Sequence, residues 1–159
     1  MSEHVNQDIK YDQASAVPIR FRDRETEFCL ITSSGKRRWG FPKGIIDPGE
    51  TPTETALKEA EEEAGVTGEI RNPPLGTYEY HKWGRSLSVL VMLMEVHESL
   101  DAWEESWLRE RRWLKIDQAL QWLDPCRGLA YFVLEAARRL NGPVSSVRAA
   151  GKPGAGPVC

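Results

Sequence analysis

A chain of 159 residues, 40% hydrophobic and 28% charged, has the length and balance of one globular domain, which excludes a long multidomain architecture. Its 21 Lys and Arg against 24 Asp and Glu leave a formal charge of -3, too balanced to grip nucleic acid by bulk charge, so any basic site must be local. Three cysteines, Cys29, Cys126 and Cys159, stand far apart with no C-x-x-C pair, which argues against a disulfide framework or a zinc site and makes a reducing cytoplasm the simplest setting.

Met1 to Tyr11 contains no apolar signal region, and the longest apolar run, Val89 to Met94, is far too short to span a bilayer, so a soluble, unsecreted protein without a membrane partner is expected. Residues 1–13 are polar and read as a loose leader, residues 14–140 as the ordered domain, and 141–159, rich in Gly, Pro, Ser and Ala, as a tail with little to bury. Ala16 to Arg22 and Glu27 to Thr32 read as strands around the turn Asp23-Arg24-Glu25, and Ser33 to Gly40 as a loop carrying Lys36, Arg37 and Arg38. A helix is announced at Thr51 by an N-cap, Pro52 at its first position and Glu54 closing a T-x-x-E capping box; Gly65 stops it. Leu87 to Val96 is apolar at both parities, the pattern of a central strand covered on both faces. Arg112 to Ile116 reads as a short strand and Asp117 to Leu123 as a short helix. Leu129, Val133, Ala136, Ala137 and Leu140 fall at the spacing of a last amphipathic helix. Strands interleaved with helices indicate a layered α/β or α+β domain.

The chemistry concentrates around the announced helix. At about 100° per residue, Glu59, Glu62 and Glu63 share one face while Ala56, Leu57, Ala60 and Ala64 form an adjacent apolar stripe able to lie on a sheet. Three carboxylates so close raise one another's pKa unless a divalent cation compensates them, and oxygen-only ligands favour Mg²⁺ or Mn²⁺ over zinc. An acidic run such as Glu61-Glu62-Glu63 is by itself ordinarily a solvated surface.

Spacing outside that run supports the metal reading. Residues 44–66 resemble the Nudix box, G-x5-E-x7-R-E-U-x-E-E-x-G-U with U a bulky aliphatic residue: Gly44, Glu50, Glu59, Glu62, Glu63, Gly65 and Val66 fall in register. Lys58 stands where the family has Arg, keeping the charge but losing the planar fork, and Ala60 stands where a larger aliphatic is usual. The resemblance implies the Nudix α/β/α sandwich, a mixed curved β-sheet between helices, and hydrolysis of a phosphoanhydride. It implies that Glu59, Glu62 and Glu63 bind Mg²⁺ or Mn²⁺ and carry the catalysis, one of them taking the proton of an attacking water. Gly44 would add its backbone carbonyl to the metal shell, and Glu50 would play a supporting part beside Lys58.

Upstream, Trp39-Gly40-Phe41-Pro42-Lys43-Gly44 is similar to the same segment in diadenosine polyphosphate hydrolases. Downstream, the stretches from Glu95 to Ser106 and from Arg109 to Ile116 resemble diphosphoinositol polyphosphate phosphohydrolases. Lys43 is then expected beside the metal site as a phosphate contact, with Lys36, Arg37 and Arg38 adding charge; Arg85 and Arg109 match positions basic in that branch. A small-molecule polyphosphate is the implied partner. The chain lacks the inositol enzymes' P-G-G-G and their cations before the first strand, where it has Gln13, Ala14 and Ser15, which places a dinucleoside polyphosphate ahead of a phosphorylated inositol. Tyr80 and Trp83 are able to stack a base or to serve as packing residues. The alternatives are ADP-ribose, a nucleotide sugar or an RNA 5′-triphosphate as substrate, and a catalytically weak Nudix-fold binding module, motivated by Lys58.

Overall fold

A computed structural model of the chain describes residues 10–141. Seven strands form one mixed sheet. Strand β1 (Gln13–Arg22) pairs antiparallel with β2 (Glu25–Thr32) and parallel with β6 (Arg85–Ser99), and β6 pairs antiparallel with β5 (Val66–Lys82). The short β3 (Trp39–Gly40) and β7 (Arg111–Lys115) pair with β2, and β4 (Lys43–Ile45) pairs with the start of β1.

The two parities of β6 explain the apolar run Val89 to Met94 at its middle. Val89, Val91 and Leu93 point into one core with Val17, Ile19, Phe28 and Leu30, covered by α2 (Ile116–Trp122) and α3 (Ala130–Asn141) through Ala119, Phe132, Val133 and Ala136, with Leu129 just ahead of α3. Leu90, Met92 and Met94 point into the opposite core, covered by α1 (Pro52–Glu59) and the turn that continues it. The result is the expected α/β/α sandwich. On the α1 side, Ala14 and Ala16 of β1 meet Ala56, Ala60 and Ala64, all fully buried. Ala60 therefore fits a face where small residues on both layers bring the helix close to the sheet.

The capping box forms as read: Thr51 Oγ1 accepts from the Glu54 backbone N–H at 3.1 Å, and the Glu54 carboxylate accepts from the Thr51 N–H at 2.9 Å. The last turn departs from expectation. The announced helix does not stay α-helical to Gly65; Ala60–Ala64 is a π turn, which widens the helix across the glutamates. Gly65 then adopts φ 68°, and the Gly65 N–H donates to the Glu61 carbonyl at 3.0 Å.

Other boundaries shift for physical reasons. The supposed leader reaches the sheet: the Asp12 N–H donates to the Ser88 carbonyl at 3.1 Å, and Gln13 is the first, buried residue of β1. The 33–40 loop ends in β3. β5, a 17-residue strand, was invisible because Gly68, Pro73, Pro74 and Gly76 interrupt its pattern, and its register against β6 shifts between Arg71 and Gly76. Positions 1–9 and 142–159, most of the expected leader and tail, lie outside the described residues. Among those described, no helix is long and apolar enough to cross a membrane.

A Cβ on Gly65 would lie 2.7 Å from the Trp103 ring while also holding a left-handed φ. Gly65→Ala is therefore expected to lower stability by about 1–3 kcal/mol, read as a lower urea midpoint at unchanged m-value. An unchanged midpoint would show that Trp103 moves aside freely.

Candidate active site

A helix C-terminus is the negative end of the backbone dipole and leaves its last carbonyls without helical partners, so it is an unfavourable place for acidic side chains. Here the segment after β6 and the first residue of β7 supply the missing donors. The Glu105 N–H donates to the Glu62 carbonyl (3.0 Å), Trp103 Nε1 to the Glu63 carbonyl (3.0 Å), Arg111 Nη1 to the Ala64 carbonyl (2.9 Å), and the Leu100 N–H to the Gly65 carbonyl (2.8 Å). The Arg111 guanidinium also lies 4.2 Å over the Trp103 ring. The end of the acidic helix is thus fixed to residues 100–111.

The π turn sends the glutamates in different directions rather than along a single stripe. Glu59 lies against Gly44, where a Cβ would stand 2.6 Å from Glu59 Cγ and closer still to its carboxyl carbon, so only glycine admits this approach. Glu63 is buried beside Glu59; its carboxyl accepts the Lys43 N–H at 3.2 Å and lies 3.6 Å from Arg109 Nη2. Glu62 turns toward the following segment, where oxygens of Glu62, Glu104 and Glu105 lie within 4.8 Å of one another.

Burial, opposed by the Arg109 guanidinium and reinforced by Glu59, pushes the Glu63 carboxyl up to about 8. Burial raises Glu59 as well, and burial together with Glu59 and Glu104 raises Glu62. Glu59 and Glu63 lie side by side and Glu62 beside Glu104 and Glu105, and all three acids are held above their ordinary range for want of positive charge. An all-carboxylate donor set in that condition fits a hard divalent cation.

Glu50 stands apart from this cluster in a supporting contact with Lys58. Its carboxylate accepts from Lys58 Nζ (2.7 Å), Thr55 Oγ1 (2.7 Å) and the Asp47 N–H (3.3 Å), the lysine contact doing most to lower its pKa. Lys58, raised mainly by that bond, also lies 3.6 Å from Asp47. It reaches the carboxylate through one nitrogen, without the fork an arginine would offer.

Beside Glu63 opens a cleft of about 260 Å³, lined by Arg38, Lys43, Lys82, Arg109 and Arg127 together with Gln13, Thr32, Ser33 and Ser34. Of the six cations expected to meet substrate, Arg38, Lys43 and Arg109 line this cleft. Lys36 and Arg37 are exposed outside it, and Arg85 lies 3.5 Å from Asp12 instead. Arg109 also braces the site, donating to Glu105 at 2.7 Å and to the Thr32 carbonyl at 3.1 Å. Lys43 sits 4.9 Å over the Tyr80 ring, and its pKa is lowered by burial first and by Arg127 second. Lys82, Arg127 and Glu105 were not found by sequence reasoning. Lys82 ends a strand with no legible period and Arg127 lies in a short 3₁₀ turn (Pro125–Arg127), so only the fold brings them here; Glu105 sat in a visible acidic pair that carried no distinguishing spacing.

The NUDIX domain family matches residues 12–131. The chain is 33% identical over 156 residues to the Mus musculus protein named diphosphoinositol polyphosphate phosphohydrolase 3-alpha, covering 93% of this chain and 94% of that one. It is 32% identical over 123 residues to Nudix hydrolase 13, mitochondrial, of Arabidopsis thaliana, covering 71% of this chain and spanning only 60% of that protein. A C. elegans Ap4A hydrolase, solved as a binary complex, superposes with a TM-score of 0.72 at 24% identity over 84% of this chain and 99% of that one, a likeness of fold. With the box residues gathered as described and the match running through most of the domain, the chain belongs to the Nudix hydrolase family.

Proposed function

We propose that the chain is a divalent-metal-dependent pyrophosphohydrolase that cleaves phosphoanhydride bonds in dinucleoside polyphosphates and diphosphoinositol polyphosphates. The observation that carries this reading is a five-cation cleft with Glu63 in its wall, next to Glu59. Nearby phosphates would pair with Arg38, Lys43, Lys82 and Arg127, while the carboxylates hold the opposite charge a short distance away. The cations absent before β1 are supplied by Lys82 and Arg127, so a densely phosphorylated inositol also fits by charge. The names of the mouse and C. elegans relatives support both substrate classes. Glu59, Glu62 and Glu63, with the Gly44 carbonyl, would hold Mg²⁺ or Mn²⁺. When bound, such an ion neutralises phosphate oxygens and lowers the pKa of an attacking water.

The chain's own groups do the rest. Lys43 and Arg109 orient phosphate against the Glu63 wall, and one of the three glutamates accepts the water's proton. The Lys58–Glu50 bond at 2.7 Å keeps the contact around which the weak binding module was conceived, and the three glutamates are complete; both favour an enzyme. A cytoplasmic setting belongs to this reading, supported by the free, buried Cys29.

Glu59→Gln, Glu62→Gln and Glu63→Gln are each expected to fold normally and to lose turnover by about 10²–10⁴-fold. Near-wild-type turnover in all three would contradict the site. In chelator, wild-type thermal stability is expected to fall as pH rises from about 4.5 to about 8, because a carboxyl raised in the folded state binds its proton more tightly there than in the unfolded chain. Glu63→Gln flattens that decline.

Lys58→Arg is expected to maintain or raise kcat with little change in melting temperature, since the fork adds a second bond to Glu50. A large loss of kcat in a folded variant would show that the loop is built around lysine.

Initial rates at fixed free Mg²⁺ are expected to give kcat/KM rising from ADP-ribose to diadenosine tetraphosphate and on to the penta- and hexaphosphates. Lys43→Ala compresses the series by weakening the longer substrates most, by about 1–3 kcal/mol. ADP-ribose as best substrate by a wide margin would contradict the polyphosphate assignment.

A further inference from the structure

The β5–β6 hairpin turns through two residues, Trp83 and Gly84, between the paired Lys82 and Arg85. Both have positive φ, 56° and 72°. Such a turn suits Asn-Gly, and a bulky aromatic at its first position is strained. Trp83 is nevertheless there and 68% exposed, so burial does not account for it. Its ring lies 4.6 Å from the Lys82 ammonium, and Lys82 lines the cationic cleft. One side chain therefore belongs both to the cleft wall and to the surroundings of the exposed indole. Tyr80, the other aromatic on this stretch, is committed elsewhere: its hydroxyl donates to Gln13 at 2.7 Å and its ring lies beneath Lys43.

We propose that Trp83 is a nucleobase platform at the mouth of the cleft. A purine stacks on the open face of the indole, the phosphate beside its ribose pairs with Lys82, and the remaining phosphates run into the cleft toward Glu63. Every base offers a π face to an aromatic side chain, whereas an inositol phosphate offers none. The cleft cations serve both substrate classes; the indole favours the nucleoside-bearing one. The inference rests on the polyphosphate reading above.

The test compares diadenosine pentaphosphate with a diphosphoinositol polyphosphate at fixed free Mg²⁺, using wild type, Trp83→Asn and Trp83→Phe. Asparagine suits the positive φ, so turn strain does not confuse the result, and melting temperature should hold or rise. Trp83→Asn is expected to raise KM for diadenosine pentaphosphate by about tenfold or more, in the range of one lost base stack, with kcat within about twofold. KM for the inositol substrate stays within about twofold, and Trp83→Phe restores most of the nucleotide affinity. An unchanged KM for the nucleotide, or an equal rise for both substrates, overturns the platform and leaves the polyphosphate reading standing. A wild-type chain that turns over neither substrate overturns that reading and the platform with it.

Discussion

Glu59, Glu62 and Glu63 stand at the negative end of a helix, where the backbone dipole opposes their charge and Glu59 raises the pKa of both Glu62 and Glu63. Most of the surrounding structure answers that repulsion. The donors of residues 100–111 satisfy the helix's last carbonyls, and Arg111 brings a positive charge against them. Gly44 leaves room for the Glu59 carboxyl, while the Lys43 N–H and Arg109 hold that of Glu63. These contacts leave the three acids raised toward protonation, so they position the charge without cancelling it. On the function proposed above a divalent cation would complete the balance, making metal affinity a consequence of how the helix ends.

The same charge separation organises the substrate side. A net charge of -3 conceals a local concentration of five cations around one cleft. They come from the loop after β2, from β4, from the hairpin end of β5, from the segment before β7 and from the turn before α3. The mixed sheet is what brings these ends together, because parallel pairing of β1 with β6 puts the start of β1 and the β5–β6 hairpin on one side. Cations and carboxylates so close would attract each other into closed pairs if both were mobile. Here Glu63 faces Arg109 at 3.6 Å and little else in the cleft is acidic, which leaves the remaining cations for an anionic ligand.

Local chemistry was legible in the sequence wherever a short-range rule applied. The capping box at Thr51 and Glu54, the stop at Gly65 and the two-sided burial of β6 all follow from neighbours within a few positions. The box spacing singles out Gly44, Glu50 and the glutamates as candidates for the same reason. What escaped depends on tertiary placement. No local pattern distinguishes Lys82 or Arg127 from any surface cation, and nothing separated Arg38 at the cleft from Lys36 and Arg37 outside it. The π turn escaped as well, since an ideal helical wheel already placed the glutamates together and gave no cause to widen it. Trp83 was read as able to stack or to pack, and its positive φ and exposure are visible only in three dimensions.

Whether the end of this helix binds a metal is read most directly by anomalous diffraction from crystals grown with Mn²⁺. A strong anomalous peak is expected among the carboxylates of Glu59, Glu62 and Glu63, reduced or lost in the Glu59→Gln and Glu63→Gln variants. Ordered carboxylates with no peak between them at millimolar Mn²⁺ would contradict it.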